Sequence, residues 1–272
     1  MVIKRTISLL FLILLINNCN CNKPTGKHIL PQNKDVNDSF NKASEAIVFL
    51  GNPGVGKSTL CNSIFGKAVF NSGLSIGTGM TTHKQEYIYE NKLYIDTPGL
   101  HDVKNREQAA IEIEKALKRN KKYKIVFVTT LEEGRIKADD LVTINEIGRA
   151  IKTNFQYGLI FNKVFDEEIE EINKVAPIEN NLYKCLKLLP KEPYSTIILT
   201  RDKRIKRKCN MHFQSGDENR KKLLEFLDKL PAFRIEETEV ERIDVRDHDE
   251  KVKEMQEMYK KIIDELNKKA QE

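Results

Sequence analysis

The sequence predicts an α/β fold, a three-layer, doubly wound and mostly parallel sheet with a helical extension at its C-terminus. Three observations predict it. Short apolar segments alternate with segments of helical periodicity between residues 45 and 232, which is typical of parallel sheets. A glycine-rich turn joins the first strand to the first helix. Residues 233–272 are highly charged and carry apolar residues at helical spacing, which predicts an amphipathic helix.

Composition narrows the class of protein. The 272-residue chain is 40 % hydrophobic and 32 % charged, with a net charge of +6. These values exclude a fully disordered chain and a polytopic membrane protein. The five cysteines lack the paired spacing of a zinc site, and a chain of this length buries a core without disulfides.

The N-terminal residues 1–21 differ from the rest of the chain. Lys4 and Arg5 precede an apolar run over residues 7–16, and an asparagine-rich segment follows. This pattern predicts a secretory signal peptide, and an N-terminal anchor that stays attached is the open alternative. Residues 22–44 are rich in Asn, Lys, Pro, Ser and Asp, which predicts a flexible linker.

The first predicted strand, residues 46–50, runs directly into a phosphate-binding motif. Residues 51–58 spell G-x-x-x-x-G-K-S, and Leu60 and Ile64 then lie four residues apart, as in a helix. Glycines let successive backbone N–H groups face phosphate oxygens at the positive end of the new helix. The motif assigns these residues to nucleotide binding: Gly51, Asn52, Pro53, Gly54, Val55, Gly56, Lys57, Ser58 and Thr59.

Two of these residues have sharper predicted roles. The Lys57 ammonium is predicted to neutralise the β- and γ-phosphates and to act in catalysis. The Ser58 hydroxyl is a predicted Mg²⁺ ligand.

A second motif, D-x-x-G, follows the apolar strand 93–95. Asp96 is predicted to lie at the Mg²⁺ site, and the Gly99 amide to contact the γ-phosphate, as in switch GTPases. The segment 72–83 between the two motifs lacks periodicity and predicts a switch loop. Its Thr81 is the predicted hydroxyl that completes the Mg²⁺ shell and supports catalysis, with Thr82 and Thr78 as alternatives.

The motif segments resemble a known family. GNPGVGKSTLCNSIFGK, GMTT and LYIDTPGLHD are similar to the immunity-associated GIMAP/AIG-type GTPases, which are related to the septins. The similarity extends over about residues 45–230 and implies a G domain over residues 45–232 that binds GTP or GDP with Mg²⁺. It also implies a GTPase that forms homodimers or larger oligomers through the nucleotide face and associates with membranes.

The chain departs from the usual G-domain pattern at the base-reading motif N/T-K-x-D. Asn162 and Lys163 follow a predicted strand over residues 157–161, but Phe165 occupies the aspartate position. Asp166 comes one residue later and is the predicted reader of the guanine base, reaching it through a one-residue bulge, although another residue is an open alternative.

A second departure concerns hydrolysis. Leu100 follows D-x-x-G where Ras-type enzymes carry the glutamine that orients water, which predicts slow turnover. Two other functions stay open: a P-loop ATPase or small-molecule kinase, and a nucleotide-bound scaffold without turnover. The basic cluster 201–208 has no interleaved aromatic residues, and nucleic acid is therefore not a predicted partner.

The remaining apolar patterns complete the predicted sheet. They predict an edge strand at 83–89, later strands at 124–130 and 196–200, and helices at 106–120, 141–151, 166–175, 181–189 and 220–230.

In the C-terminal segment, five apolar residues alternate at spacings of three and four: Val252, Met255, Tyr259, Ile262 and Leu266. This heptad seam predicts either a coiled coil or an amphipathic helix docked on the G domain.

The leader sets the predicted location. A signal peptide directs the chain to the secretory pathway or out of the cell, whereas an anchor leaves a membrane-bound protein with a cytosolic G domain.

Overall fold

The strands and helices come from a computed structural model that describes residues 43–72, 81–119, 121–132, 134–174, 182, 186–189, 191–201 and 217–269. Within these residues a mixed, mostly parallel sheet carries helices on both faces, which confirms the predicted fold class. The leader 1–21, nearly all of the linker 22–44, Thr78, most of the predicted helix 181–189 and all but Arg201 of the basic cluster lie outside the described residues.

Five strands of the main sheet run parallel. In chain order they are β1 (Glu45–Leu50), β3 (Lys92–Asp96), β4 (Lys122–Thr129), β7 (Tyr157–Val164) and β8 (Ser195–Thr200). The edge strand β2 (Gln85–Tyr89) pairs antiparallel with β3, giving the order β2-β3-β1-β4-β7-β8. A small hairpin, β5 (Leu131–Glu132) and β6 (Arg135–Ile136), follows β4.

Six helices connect and cover these strands in the described part of the chain. They are α1 (Lys57–Phe65), α2 (Arg106–Leu117), α3 (Ala138–Ala150), α4 (Asp166–Lys174), α5 (Asp217–Lys229) and α6 (His248–Lys269).

Strand β1 shows why the sheet has two covered faces. Its side chains alternate, so that Val48 packs into a core with α2, α3 and α6, whereas Phe49 packs into a second core with α1 and α5. Both side chains are fully buried. The continuous apolar sequence of a central parallel strand follows from this double burial. Because β1, β3 and β4 run parallel, their carboxyl ends meet at one edge of the sheet. Ligands bind at that edge in sheets of this kind.

The C-terminal segment differs from the predicted helix over residues 233–272, because α6 begins only at His248. Before it, β9 (Phe233–Arg234) pairs antiparallel with the start of β4, and a 3₁₀ turn follows at Glu237–Glu239. Burial explains the difference: Ile235 and Ile243 are at most 1 % exposed, so this stretch serves as a core-covering strap. A boundary at residue 232 therefore cuts through the sheet.

Helix α6 packs on the α/β domain rather than standing apart from it. Met255 and Tyr259 are buried in the core that α2 and α3 share, and Val252 packs against it. The heptad seam thus serves the docked helix, the second of the two predicted alternatives. No helix in the described ranges has the length and apolar composition that crossing a membrane requires.

Candidate nucleotide-binding site

The phosphate loop has the backbone conformation that its glycines allow. Gly51 has φ of 135°, and a Cβ atom on it would lie 2.2 Å from the carbonyl oxygen of Val128. Only glycine fits there, because both the conformation and the space exclude a side chain. Gly56, with φ of 105°, precedes the first turn of α1, and no side chain from the described residues caps that turn. The first amides of α1 are thus left for an anion.

Lys57 is buried within this loop. Its Nζ atom donates hydrogen bonds to the carbonyl oxygens of Gly51 at 2.7 Å and Asn52 at 3.1 Å. Burial lowers the pKa of Lys57, while the charges of Asp96 and Asp140 oppose this shift. The ammonium is therefore held among phosphate-loop carbonyls, at the position where the motif requires a positive charge.

The three predicted metal ligands lie together. Ser58 Oγ donates to Asp96 Oδ2 at 2.6 Å, and Thr81 Oγ1 lies 3.4 Å from Ser58 Oγ and 3.5 Å from Asp96 Oδ2. Gln85, which the sequence did not single out, also donates to Asp96 Oδ2 at 3.3 Å. Of the two alternatives to Thr81, Thr82 is exposed and Thr78 is outside the described residues.

Asp96 is fully buried, and its second oxygen, Oδ1, has no hydrogen-bond partner among the described residues. Burial raises the pKa of Asp96, while Lys57 and the hydrogen bonds from Ser58, Gln85 and Thr81 favour the ionised form. A buried carboxylate oxygen without a partner is costly unless a ligand satisfies it. Two hydroxyls and one carboxylate make an oxygen-only set, which suits Mg²⁺.

The D-x-x-G turn packs directly against the phosphate loop. A Cβ atom on Gly99 would lie 2.3 Å from Pro53 Cδ, so the turn approaches as closely as glycine permits. The side chain of Leu100 is fully buried in the core. It is therefore shielded from solvent.

Asn162 and Lys163 contact the outer side of the phosphate loop. Asn162 Nδ2 donates to the Val55 carbonyl at 2.8 Å, and Lys163 Nζ donates to the Gly54 carbonyl at 2.5 Å. A register shift between β7 and β8 places a bulge at these two residues, and Lys163 has a positive φ of 63°. The predicted base reader, Asp166, is the first residue of α4 and is exposed.

The remaining predicted nucleotide-binding residues of the loop differ in their burial. Pro53 is half-buried, Gly54 exposed and Val55 buried, while Thr59 is half-buried in the first turn of α1.

Asn52 has a role that the motif alone does not indicate. Its amide nitrogen donates to Asp139 Oδ2 at 2.7 Å and Asp140 Oδ1 at 2.8 Å, and Thr143 donates to its oxygen at 2.9 Å. All three partners lie on α3. Burial raises the pKa of Asp140 to about 6, while hydrogen bonds from Thr129 and Asn52 oppose the shift. The Asn52 side chain thus ties the phosphate loop to α3 rather than facing a phosphate.

A buried histidine extends this network to the C-terminal helix. The ring of His248, which is fully buried, lies 2.7 Å from Asp139 Oδ1 through Nε2 and 2.7 Å from Glu146 Oε2 through Nδ1. Burial alone lowers the pKa of His248, but the hydrogen bonds to these two carboxylates outweigh it and raise the pKa to about 9. His101 also contacts Asp139, with Nδ1 2.8 Å from Oδ2, but its side chain is 68 % exposed.

A cavity of about 960 Å³ lies beside this network. It is bounded by the phosphate loop, the start of α3, the β5–β6 hairpin and α6. Representative lining residues are Pro53, His101, Arg135, Asp139 and Gln256.

The loop, the D-x-x-G turn and the Asn-Lys pair, all at one edge of a mostly parallel sheet, define a P-loop domain of the GTPase class. A family model described as the AIG1 family matches residues 45–263. The chain therefore belongs to the AIG1 family, which confirms the predicted membership. The match also includes most of α6, which lies within the family's own domain.

Two curated GTPases are similar to parts of the chain. GTPase Era of Ureaplasma parvum serovar 3 is 34 % identical over 112 residues, which are 40 % of this chain and 36 % of that protein. Small ribosomal subunit biogenesis GTPase RsgA 1 of Bacteroides thetaiotaomicron is 41 % identical over 64 residues, which are 21 % of this chain and 18 % of that protein. The chain thus spans well under half the length of either relative.

Two solved structures resemble the fold more distantly. NFeoB from S. thermophilus, bound to GDP·AlF₄⁻ and K⁺, is 16 % identical with a TM-score of 0.43, covering 74 % of this chain and 65 % of that chain. Toc33 from Arabidopsis thaliana, in complex with GDP and Mg²⁺, is 16 % identical with a TM-score of 0.41, covering 74 % and 92 %.

Proposed function

We propose that the chain binds GTP and GDP together with Mg²⁺ and hydrolyses GTP slowly to GDP and phosphate. The cluster of Ser58, Thr81 and Asp96 at the start of α1 carries this proposal. Ser58 of this cluster directly follows the buried Lys57, and such a pairing of cation and metal ligands suits a nucleoside triphosphate.

The chain's own residues suit this role. The unpartnered Oδ1 atom of Asp96 and the two hydroxyls form an oxygen set that would hold Mg²⁺. When bound, Mg²⁺ neutralises negative charge on phosphate oxygens. The amides at the start of α1 and the Lys57 ammonium would bind and orient the phosphates, with Lys57 exchanging its loop carbonyls for phosphate oxygens. These residues act by position and charge rather than by covalent chemistry.

A buried Leu100 supports slow turnover. Its side chain faces the core and has no polar atom to orient an attacking water. Ras-type enzymes that carry the glutamine reach only about 10⁻⁴ s⁻¹ unaided, so this chain would need a partner for a useful rate. The same observation favours a second candidate function, a scaffold that holds GTP without turnover.

The first test concerns which nucleotide is bound. We expect the full chain with Mg²⁺ to bind GTP at least about tenfold more tightly than ATP, a difference of ~1.4 kcal/mol. Competition of each unlabelled nucleotide against a ribose-labelled fluorescent GTP measures this ratio. Equal competition by ATP would contradict the proposal and favour a P-loop ATPase.

The second test concerns turnover by self-assembly. If a second copy docked over the nucleotide supplies the missing activation, the rate per molecule should rise with protein concentration. Phosphate release over a hundredfold range of concentration measures it, and the Lys57→Ala variant gives the background. A flat rate per molecule would exclude activation by self-assembly and leave an unidentified activator or the scaffold function.

The leader of residues 1–21 supports a further proposal about location. A cleaved leader would take the chain into the secretory pathway, where GTP is scarce, whereas a retained anchor would hold the G domain at a membrane facing cytosolic GTP. The N-terminal residue of the mature protein distinguishes the two.

A further inference from the structure

The end of β7 lacks the carboxylate that usually reads guanine. In the sequence Asn162-Lys163-Val164-Phe165, the fourth position is an aromatic side chain that is 46 % exposed. A phenyl ring cannot accept hydrogen bonds from the guanine N1–H and 2-amino groups. Asp166 is exposed at the start of α4. The usual position of the base reader therefore holds no carboxylate, and Asp166 competes for that role with any other polar group at this edge.

Among the described residues, Arg201 is a second cation, beside Lys163, that the fold brings to this position. It follows the last residue of β8, and its backbone N–H donates to the Val164 carbonyl at 2.9 Å, which joins the ends of β7 and β8. Its guanidinium carbon lies 5.0 Å from the centroid of the Phe165 ring. This distance is in the range of a cation–π contact, which restrains the guanidinium.

Arg201 is also close to the phosphate loop through Lys163. Burial lowers the pKa of Lys163, and the nearby charge of Arg201 lowers it further. Lys163 in turn donates to the Gly54 carbonyl. Lys163 thus contacts the loop, and the Arg201 guanidinium, which lies over the Phe165 ring, is near Lys163.

The chemistry of a guanidinium suits one edge of guanine. Guanine presents two acceptors, O6 and N7, whereas adenine has an amino donor in place of O6. Arginine has a planar fork of N–H donors and no acceptor, so it pairs with guanine at that edge and opposes the adenine amine. A carboxylate instead reads the Watson–Crick edge of guanine, where N1–H and the 2-amino group are the donors. Recognition by arginine therefore depends on the acceptors of the base, whereas recognition by a carboxylate depends on its donors.

We infer that Arg201, restrained by Phe165, determines the preference for guanine by donating to O6 and N7, in place of a carboxylate. This inference rests on the proposed function and names the specificity-determining residue of the same site. Phe165 acts as a positioning residue, because it contacts the guanidinium.

Equilibrium binding to the full chain tests the inference without any turnover. We expect Arg201→Ala to weaken GTP binding by about 5- to 150-fold, the usual value of a bidentate arginine–guanine pair. ATP binding should not weaken, because the guanidinium that opposes the adenine amine is gone. Arg201→Lys should keep part of the preference, because an ammonium also donates to O6 and N7 but lacks the fixed fork. Arg242→Ala, which removes an exposed arginine from the segment before α6, is the matched control and should leave the ratio of GTP to ATP affinity unchanged. Asp166→Ala tests the competing carboxylate reader that the sequence predicts.

Inosine triphosphate gives an independent readout. Its base keeps O6 and N7 but lacks the 2-amino group, so recognition by Arg201 predicts binding within about threefold of GTP. Recognition by a carboxylate predicts a much larger loss of affinity, because the carboxylate accepts from both N1–H and the 2-amino group of guanine and inosine lacks the second donor.

The outcomes separate this inference from the proposed function. A preserved GTP preference in Arg201→Ala, a preference lost in Asp166→Ala, or a tenfold loss with inosine triphosphate would each overturn the inference alone. A wild-type chain that binds GTP and ATP equally would overturn the proposed function and the inference with it. Thermal unfolding of each variant, together with an affinity for ATP no weaker than that of the wild type, shows that the phosphate loop is intact.

Discussion

Replacing Lys57 with alanine is expected to weaken the binding of GTP and GDP by at least about 100-fold, ~2.7 kcal/mol. The ammonium is buried and is hydrogen-bonded to the loop carbonyls of Gly51 and Asn52, so it is already desolvated and aimed into the loop. Removing a charged donor from such a site costs about 1.5–3 kcal/mol per hydrogen bond lost. Titration with a fluorescent nucleotide in the presence of Mg²⁺ measures the loss.

Lys122→Ala provides the matched control for this experiment. Lys122 begins β4 and is exposed at the end of the sheet away from the loop, so removing its charge should leave the affinity unchanged. Urea unfolding of both variants separates lost binding from lost folding. An unchanged affinity in a folded Lys57→Ala protein would refute the assignment of the phosphate loop.

Replacing His248 with alanine is expected to lower the free energy of unfolding by about 3–5 kcal/mol at pH 6. The fully buried imidazole bridges Asp139 and Glu146 at 2.7 Å each, so its removal takes the buried cation from both carboxylates. Asp139 then keeps Asn52 and the exposed His101, and Glu146 keeps Lys251. Breaking a buried charge pair from one side typically has an effect of this size. Urea unfolding of the full chain measures it.

The same histidine sets a pH dependence. Its pKa is raised from 6.5 to about 9 in the folded chain, so its protonated form stabilises the fold fully below pH 6.5. That contribution, about 3 kcal/mol, is lost as the pH rises from 6.5 through 9. Arg106 opposes the protonated form and the carboxylates of Asp139 and Glu146 favour it. The difference in stability between wild type and His248→Ala should therefore shrink over this range.

His101→Ala is the control for the His248→Ala experiment. His101 contacts the same carboxylate, Asp139, at a similar distance, but its side chain is 68 % exposed. An exposed pair of this kind contributes under about 1 kcal/mol, so the variant should unfold almost as the wild type does. Equal destabilisation by both substitutions would show that the buried imidazolium has no special role.

The parts of the site that follow one another along the chain were predictable from sequence. A strand, a glycine-rich turn and a helix are local patterns, and the chemistry of phosphate binding dictates their residues. The D-x-x-G turn follows its own strand in the same way. The structure brings Ser58, Thr81 and Asp96 together because β1 and β3 pair in parallel and end at the same edge.

The rest depends on contacts between distant segments. Nothing near His248 in the sequence indicates that it would be buried against Asp139, which lies on α3. Likewise, Arg201 appeared as one member of a basic cluster, and only the pairing of β7 with β8 places it against Phe165. The charged composition of residues 233–247 suggested continuous helix, whereas tertiary burial of Ile235 and Ile243 decides the local conformation.

The pairing of β9 with β4 also constrains the order of folding. Phe233 is registered with Tyr123, and its ring stacks near Phe155 with centroids 5.8 Å apart. These partners are far apart in sequence, and closing such a loop is slow because its entropy is lost before the contact forms. During synthesis, the start of β4 would wait for the C-terminal strap to leave the ribosome. Tyr123 and Phe155 are apolar surface that a nascent chain exposes until then, which is the kind of surface that chaperones recognise.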